Sequence, residues 1–464
     1  YKKIKIKKIG IFLFILLLLI PIFISQKYHE DFGYYHLPYA LLLFEEKIIF
    51  GIANTNIAYV YNSIWLNIYP SFFLFDKNFN FLTFPTFILY VFFISFLIND
   101  FYKNHEWNLS KLYVCVLVFY YLIKFTRISE YGVDLPASIF ANISIIYFIK
   151  FFETEEISDR KKFFYINLIF SIFSILIKLS NVPIIILTLI IFFSNIKILK
   201  YEIYKFNYIF IYLLSTLFLV QQFIYTGCVL FPSEFSCFNF TWFSEDFLSV
   251  KKTLELINKS YAEAKLLMNK DEFLQSFNWF NFWLKRNYVE ILEHMLTMIL
   301  PFIIIYIFSK NQNRKFYNFG KLTNSLIIFA TAGIFFWLSF SPVYRFGVIY
   351  FIIIIFLFLS IVFQKIIITH KIFTIVLCIC FSFSLLKNVN RLMNKKELFF
   401  GIEKIENKFI LDTHNSKDYL KIHFVDIENN KKNGWQGRLC WNVPVICSNR
   451  KVQVLKNNHY MFIS

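Results

Sequence analysis

Glycine and the common catalytic signatures are scarce or missing in this sequence. Only 11 of its 464 residues are glycine, and no glycine-rich loop suited to a nucleotide phosphate occurs. The GxSxG motif of α/β-hydrolases and the HExxH motif of zinc proteases are also missing. We find no internal repeat and no signal-peptide cleavage site. The sequence therefore indicates neither a nucleotide site nor either of those two hydrolytic chemistries.

Acidic residues are in the minority. There are 30 Asp and Glu residues against 48 Lys and Arg residues, which gives a formal net charge of +18. An excess of this sign often marks a nucleic-acid-binding protein. Here, however, the lysines lie in short segments between hydrophobic runs, where they act as orientation signals for a membrane protein. We therefore expect no nucleic-acid partner.

Hydrophobic residues, by contrast, dominate the chain. They make up 58% of the sequence, aromatic residues alone make up 22%, and the mean hydropathy is +0.55. Apolar runs as long as a bilayer is thick recur along the chain, which predicts an all-α polytopic membrane protein. The heavy use of Phe, Ile, Lys, Asn and Tyr is typical of an AT-rich bacterial genome. These features together predict a protein of the bacterial inner membrane.

The predicted topology has about eleven spans. The stretches are Ile9–Ile24, Phe81–Ile98, Leu112–Ile123, Leu135–Ile149, Phe163–Ile177, Val182–Phe193, Tyr208–Phe223, Ile291–Phe308, Leu322–Phe340, Val348–Phe363 and Ile372–Leu386. Lysines at positions 2, 3, 5, 7 and 8 precede the first stretch, so the positive-inside rule places the N-terminus in the cytoplasm. The chain begins with Tyr1 and not Met, so we expect a trimmed or incomplete N-terminus.

One further stretch, Ile57–Phe75, is ambiguous because Asn62, Ser63, Asn67 and Pro70 interrupt it. If it crossed the membrane, every later basic loop would move outside, against the positive-inside rule. We therefore expect an interfacial or re-entrant helix there. The C-terminus is then periplasmic.

This topology divides the chain into two parts. Residues 1–386 form the transmembrane domain, with a first external loop at 25–80 and a long external loop at 225–288. Residues 387–464 form an extracytoplasmic lobe, which we expect to be small and α/β or mostly β. Its strand-like runs are Phe409–Asp412, Lys421–Val425, Val443–Ile446 and Lys451–Leu455. In the long loop, Ser249–Asn269 has helical spacing.

Four of the seven cysteines fall in external segments as two close pairs. These pairs are Cys228 with Cys237 and Cys440 with Cys447. Such pairs in an oxidising periplasm predict two disulfides, with free thiols as the alternative. A zinc site would need further ligands at suitable spacing, and none lies close by in sequence.

Charged residues gather on the same external face. Glu30 and Asp31 follow the first span within a turn or two of the membrane surface. Glu130 and Asp134 lie four residues apart in a short charged loop, so a helix would place both carboxylates on one side. Arg345 follows Pro342 between two long spans. Its planar guanidinium suits a phosphate group, although an interfacial anchor is the simpler interpretation.

The sequence resembles the GT-C superfamily of integral-membrane glycosyltransferases. The likeness lies in an N-in first span, an acidic residue just beyond it, a long first external loop and roughly ten more spans. The run Tyr35-His36-Leu37-Pro38, Glu45-Glu46, Gly51-Ile52-Ala53-Asn54 and Tyr61-Asn62-Ser63-Ile64-Trp65 looks more specifically like a family of uncharacterised bacterial membrane proteins. The recognisable part covers residues 28–70. The Glu-Asp order at 30–31 departs from the Asp-Glu order of many GT-C enzymes, which leaves the assignment of the base open.

The resemblance implies an inverting transfer of a sugar from a polyprenyl-phosphate donor to a glycan or lipid acceptor in the cell envelope. Asp31 is the candidate base that deprotonates the acceptor hydroxyl, and Glu30 is the second choice. Arg345 is the candidate partner of the lipid phosphate, followed by Lys47 and Arg127. The remaining candidate substrate-binding residues are His36, Tyr34, Tyr35, Glu130 and Asp134. The donor class needs no nucleotide site, and the use of a divalent metal is left open.

Two other functions compete with this interpretation. A polymerase or ligase of surface polysaccharide would share the external face and the lipid-linked substrates. Such enzymes usually rely on Arg and His in a large loop, and the 225–288 loop has no His. A lipid or solute transporter should carry ionisable residues at the bilayer midplane and repeated halves, whereas Lys178 is the main charge near a span. We rank the transferase first, the polymerase or ligase second and the transporter third.

Overall fold

The fold is mostly helical in the part of the chain that the structure describes. A computed structural model describes residues 2–24, 35–45, 48–73, 83–103, 107–126, 132–202, 208–231, 233–243, 247–309, 320–363, 366–394, 423–424, 447–448, 454–457 and 460–463. Its α-helices are α1 Lys2–Ile24, α2 Leu37–Glu45, α3 Pro70–Phe73, α4 Phe84–Lys103, α5 Leu109–Lys124, α6 Asp134–Glu153, α7 Ile157–Ile177, α8 Ile185–Ser194, α9 Ile196–Leu199, α10 Ile209–Thr226, α11 Phe247–Asn258, α12 Lys270–Leu274, α13 Phe280–Phe308, α14 Gly320–Phe340, α15 Tyr344–Val362 and α16 His370–Asn394.

Among the described residues, seven helices are long and apolar enough to cross a membrane. They are α4, α6, α10, α13, α14, α15 and α16. The other four predicted spans are also helical. They lie in α1, α5, α7 and the run formed by the 3-10 helix Leu179–Ile184 with α8. The chain is therefore a helical membrane protein.

Helix α5 occupies the centre of the bundle. From Leu112 to Leu122 its side chains are fully buried, and its neighbours are α4, α6, α13, α15 and α16. A helix that is apolar on every side is expected to be buried on every side. At 16 residues it is short for a span, and its position inside the bundle follows from this all-round hydrophobicity.

Polar side chains join α6 to α7 inside the bundle. The Asn167 amide donates to the Ser144 carbonyl oxygen at 3.0 Å, and the Ser144 and Ser171 hydroxyls lie 2.8 Å apart. Small and amide side chains allow close approach of two helices in a membrane and hydrogen-bond across them. These contacts hold the two helices whose ends build the site described below.

The stretch predicted as one interfacial or re-entrant helix, Ile57–Phe75, does not form a single helix over its described part. It consists of the 3-10 helices Ile57–Val60 and Leu66–Ile68 and the short α3. The Asn56 side chain accepts from the Ala58 backbone N–H at 2.9 Å, which starts the first 3-10 helix. Asn and Ser side chains compete in this way with regular helical bonds, so the expectation of one helix is wrong.

The predicted helix over Ser249–Asn269 is also shorter in the structure. Helix α11 ends at Asn258, and a 3-10 helix follows at Tyr261–Glu263. Ser260 between them has a φ of 67°, a left-handed conformation that an α-helix cannot continue through. The α-helix predicted from this spacing therefore forms only as far as Asn258.

Short strands connect the C-terminal residues to the segment predicted as the first external loop. The strands are β1 Ile49–Phe50, β2 His423–Phe424, β3 Cys447–Ser448, β4 Val454–Asn457 and β5 Tyr460–Ile463. Strand β5 pairs with β4 in antiparallel and with β1 in parallel fashion, with Ile49 opposite Met461. Paired strands with open edges do not occur in the hydrocarbon region. The segments around residues 49 and 461 therefore lie on the same side of the membrane.

Two of the four predicted strands of the tail have counterparts here. Strand β2 lies inside the predicted Lys421–Val425, and β4 overlaps Lys451–Leu455. The predicted strands Phe409–Asp412 and Val443–Ile446 lie outside the described residues. In the three-stranded sheet, β5 lies between β4 and β1, and β1 belongs to the segment 48–73.

Candidate functional site

Three charged side chains from three parts of the chain meet at one end of the bundle. Asp134 begins α6, Lys178 follows α7, and Arg345 lies in the first turn of α15. The Lys178 ammonium pairs with one carboxylate oxygen of Asp134, and the Arg345 Nε lies 3.3 Å from the other. His36, which is buried, lies close enough to Asp134 to lower the pKa of its carboxyl, after the larger effects of Lys178 and Arg345. We call Asp134, Lys178, Arg345 and His36 the Asp134 cluster.

Lys178 is the least exposed of the three charged side chains Asp134, Lys178 and Arg345. Its side chain is 12% exposed, and its ammonium lies over the Phe346 ring, 3.4 Å from the ring centre. Burial lowers the pKa of Lys178 to about 8, while the neighbouring Asp134 carboxylate acts in the opposite direction. A buried ammonium needs a counter-charge and an aromatic face to replace its water, and the cluster supplies both.

Two buried tryptophans hold the turn that presents Arg345. The Trp283 indole N–H donates to the Pro342 carbonyl oxygen, and the Trp337 indole N–H donates to the Val343 carbonyl oxygen at 2.7 Å. Trp283 belongs to α13 and Trp337 to α14. Because both indoles are buried, each needs an acceptor. The backbone before Arg345 is therefore tied to two neighbouring helices.

A second polar group lies behind this turn, on α5 and α13. The His294 Nδ1 and the Tyr120 hydroxyl lie 2.7 Å apart, and the His294 ring lies 4.3 Å from that of Tyr344. Next to it, the Lys124 ammonium pairs with Glu293 at 2.8 Å. The ring contact packs the start of α15, the helix that carries Arg345, against α13. The other two contacts join α13 to the central helix α5.

The described part of the segment predicted as the first external loop is docked on α10 through side-chain amides. Gln221 is the centre: its Oε1 accepts from the Asn62 and Asn67 amides at 3.0 and 2.8 Å. Its own amide donates to the Tyr225 hydroxyl at 2.8 Å and to the Tyr39 hydroxyl at 3.2 Å. Leaving one of these partly buried polar groups without a hydrogen bond would cost free energy. The network therefore favours one position of this segment on α10. It holds the segment after His36 above the bundle.

A family profile covers most of the chain, including the Asp134 cluster. The sequence profile of a family described as a domain of unknown function, DUF8201, matches residues 1–353. The chain belongs to this family. The matched residues include the whole Asp134 cluster, and they stop before α16. No curated protein matches the chain, and no solved structure matches it either.

The structure describes some of the predicted site residues of this DUF8201 member, and several of these lie close together. Asp134 and Arg345 are in contact, His36 lies near them, and the rings of Tyr35 and His36 lie 4.0 Å apart. The other predicted site residues lie outside the described residues: Glu30, Asp31, Tyr34, Lys47, Arg127 and Glu130.

The cysteine predictions have a similar outcome. Cys228 and Cys237 form a disulfide, with their Cα atoms 3.9 Å apart. Cys440 lies outside the described residues, so its pairing with Cys447 stays a prediction. Within the described part of the chain, no group of three or more His, Cys, Asp or Glu side chains is arranged to hold a metal ion.

Sequence reasoning missed three residues of this site. Lys178 was noted only as a charge near a span, although a lysine at the end of an apolar helix needs a counter-ion when that end is buried. From the sequence alone, Trp283 lies just before an apolar stretch and predicts an interfacial belt, and no sequence pattern points to Trp337. One sequence feature could have indicated that these tryptophans contact the turn. A turn with Pro342 between two spans exposes backbone carbonyl oxygens, which need hydrogen-bond donors.

Proposed function

We propose that this protein is an inverting glycosyltransferase of the bacterial inner membrane. It takes a sugar from a polyprenyl-phosphate-linked donor and transfers it to a glycan or lipid acceptor at the periplasmic face. The observation that carries the proposal is the Asp134 cluster, where Arg345 and Lys178 share one carboxylate beside the first external loop. Such a pair of cations at the end of a membrane bundle suits a phosphate at the lipid headgroup level.

The three charged residues of the cluster each have a role in this proposal. The Arg345 fork binds oxygens of the donor phosphate, and Lys178 adds a second positive charge. Asp134 holds both cations in place before the donor binds. Since preorganised charges need not rearrange as the reaction proceeds, this arrangement favours departure of the phosphate as an anion.

Asp31 remains the proposed base. It removes the proton of the acceptor hydroxyl while that oxygen bonds to the anomeric carbon and the bond to the phosphate oxygen breaks. The phosphate leaves with the bonding electron pair and stays on the lipid. Asp31 precedes His36 by five residues, so the chain cannot separate them by more than roughly 17 Å. Glu30 is the alternative base.

The proposal includes a topology of eleven spans with a cytoplasmic N-terminus and a periplasmic C-terminus. It is supported by the pairing of β1 with β5. Ten of the eleven predicted spans lie between these strands in sequence, and an even number of crossings returns the chain to the same side. The lysine-rich loops then lie in the cytoplasm.

Two labelling variants test the topology. Lys265 in the long external loop and Glu155 between α6 and α7 are both exposed. An impermeant maleimide should modify Lys265→Cys in intact spheroplasts and Glu155→Cys only after permeabilisation. The reverse pattern, or modification of both from outside, would contradict the proposed orientation.

A transfer assay tests the function. Membranes carrying each variant are supplied with polyprenyl-phosphate-linked hexoses, and sugar incorporated into envelope material is measured. Asp31→Asn should lower transfer by roughly 10²–10⁴-fold, the usual contribution of a positioned base. Arg345→Ala should raise the donor concentration needed for half-maximal transfer. Full transfer by a variant with both Asp31→Asn and Glu30→Gln would refute the mechanism.

Arg286→Ala is the matched control for Arg345→Ala. Arg286 is an exposed arginine near the start of α13, and it lies 3.8 Å from Glu263 on the surface. Loss of this charge should leave the dependence on donor concentration unchanged, because Arg286 is not part of the Asp134 cluster. An equal effect of both substitutions would mean that arginine acts only through the general charge of this surface.

A further inference from the structure

The segment after α10 exposes an unusual group of apolar side chains. Leu230, Phe238 and Phe240 are about half exposed, and Phe235 is 88% exposed. The Cys228–Cys237 disulfide closes the segment at its base. We call these four side chains the aromatic loop patch. Apolar groups that remain this exposed in a folded protein usually mark an interaction surface.

The patch continues the lipid-facing side of α10. Ile209, Leu213 and Val220 are exposed on this helix and follow one another at helical spacing, with Phe223 one turn later. The Phe223 ring contacts the rings of Phe238 and Phe240, at centroid distances of 6.0 and 5.6 Å. The loop therefore folds back over the end of the stripe and extends it by its own aromatic residues.

The length of α10 places the patch at the edge of the bilayer. Its 18 residues span about 27 Å, close to the thickness of the hydrocarbon core. The helix ends at Gly227, whose φ of 76° is a left-handed conformation that glycine adopts without strain. Phe and Leu side chains of segments that lie in the membrane interface are buried at the boundary between headgroups and acyl chains, which is the level just beyond a spanning helix.

We propose that the aromatic loop patch inserts into the boundary between headgroups and acyl chains of the leaflet on the Asp134 side. The partner is the lipid surface itself. The inference rests on the chain being a membrane protein and is independent of the proposed transferase activity. Of its neighbours in the loop, only Glu234 carries a charge in the described segment 233–243, so insertion desolvates almost no charge.

Insertion would fix the height of the first external loop above the membrane. The Gly51 N–H donates to the Ile224 carbonyl oxygen at 2.9 Å, and the Asn54 amide donates to the Trp242 carbonyl oxygen at 3.1 Å. The Phe50 and Trp242 rings lie 5.0 Å apart. The loop that carries the patch is thus bonded directly to the loop that follows His36.

Paramagnetic quenching of a new tryptophan tests the insertion. Phe235→Trp is prepared in nanodiscs with fluorinated tryptophan, so that its fluorine NMR signal is identified as the one that the parent protein lacks. Leu266→Trp is the matched control, since Leu266 is 97% exposed. It precedes α13, whose 29 residues span about 43 Å and so project well beyond the hydrocarbon core.

The expected result is opposite for the two variants. A nitroxide-labelled lipid should abolish the Phe235→Trp signal, and an aqueous gadolinium chelate should leave it largely intact. The Leu266→Trp signal should be lost to the chelate and retained with the lipid. The proposal is overturned if the Phe235→Trp signal is lost to the chelate, which would indicate a water-exposed surface for a soluble partner. It is also overturned if neither reagent reaches it, or if the lipid affects Leu266→Trp as much.

Discussion

Removal of the Asp134 charge should destabilise the protein far more than removal of an exposed aspartate charge. Asp134→Asn preserves the shape of the side chain but leaves Lys178, which is 12% exposed, without its counter-ion. Removing one partner of a buried ion pair costs about 3–5 kcal/mol. Since the Asp134 side chain is itself 33% exposed, water compensates part of this loss. We therefore expect a cost of about 2–3 kcal/mol.

The control is Asp271→Asn, because Asp271 also pairs with a lysine, Lys252. There the two side chains are 75% and 42% exposed, and such surface pairs contribute at most about 1 kcal/mol. A double variant, Asp134→Asn with Lys178→Met, removes both charges and should recover much of the lost stability. The reason is that it leaves no uncompensated buried ammonium.

The measurement is equilibrium unfolding in mixed detergent micelles, followed by circular dichroism. We expect a clearly lower unfolding midpoint for Asp134→Asn than for Asp271→Asn, and a midpoint for the double variant between those of Asp134→Asn and the parent. Equal midpoints for the two single variants would show that the Asp134–Lys178 pair is effectively solvated. A double variant less stable than Asp134→Asn would show that Lys178 stabilises the fold without its carboxylate partner.

Two further substitutions have matched controls within the chain. A methyl group at Gly333 would overlap the Tyr350 ring, so Gly333→Ala should lower the free energy of unfolding by about 1–3 kcal/mol. Gly320 lies on the same helix, and a methyl group there would have no atom within 4 Å. Gly320→Ala should therefore be neutral or stabilising in the same unfolding assay. Cys228→Ser opens a disulfide-closed loop and should cost about 2–4 kcal/mol and make the loop sensitive to protease. Cys378→Ser, at an exposed free thiol, should change neither; equal proteolysis of both variants would contradict a stabilising role for the disulfide.

The positions of the long helices could be predicted from hydrophobicity alone. Each of the eleven stretches chosen by hydrophobicity coincides with helical structure, because a chain in lipid must satisfy its backbone groups within each segment. Helix α5 shows the limit of this reasoning. Its hydrophobicity indicates burial on all sides, but only packing shows that it is the central helix.

The first external loop shows where local patterns fail. Its Asn and Ser residues gave reason to doubt a crossing helix, yet the expected interfacial helix is replaced by 3-10 turns. The choice depends on Gln221, which lies 154 residues beyond Asn67 and bonds to it. A local pattern in the sequence cannot reveal a hydrogen-bond partner so far along the chain.

The candidate site, too, could be predicted only in part from the sequence. The sequence by itself determined the membrane class, the helical segments, the Cys228–Cys237 pair and the choice of Asp134 and Arg345, because composition, periodicity and charge are local properties. Only the tertiary structure decided that Lys178 joins these two residues and that Trp283 and Trp337 hold the turn before Arg345. The physical reason is that burial makes a counter-ion or a hydrogen-bond acceptor necessary, and burial is fixed by which helices pack together.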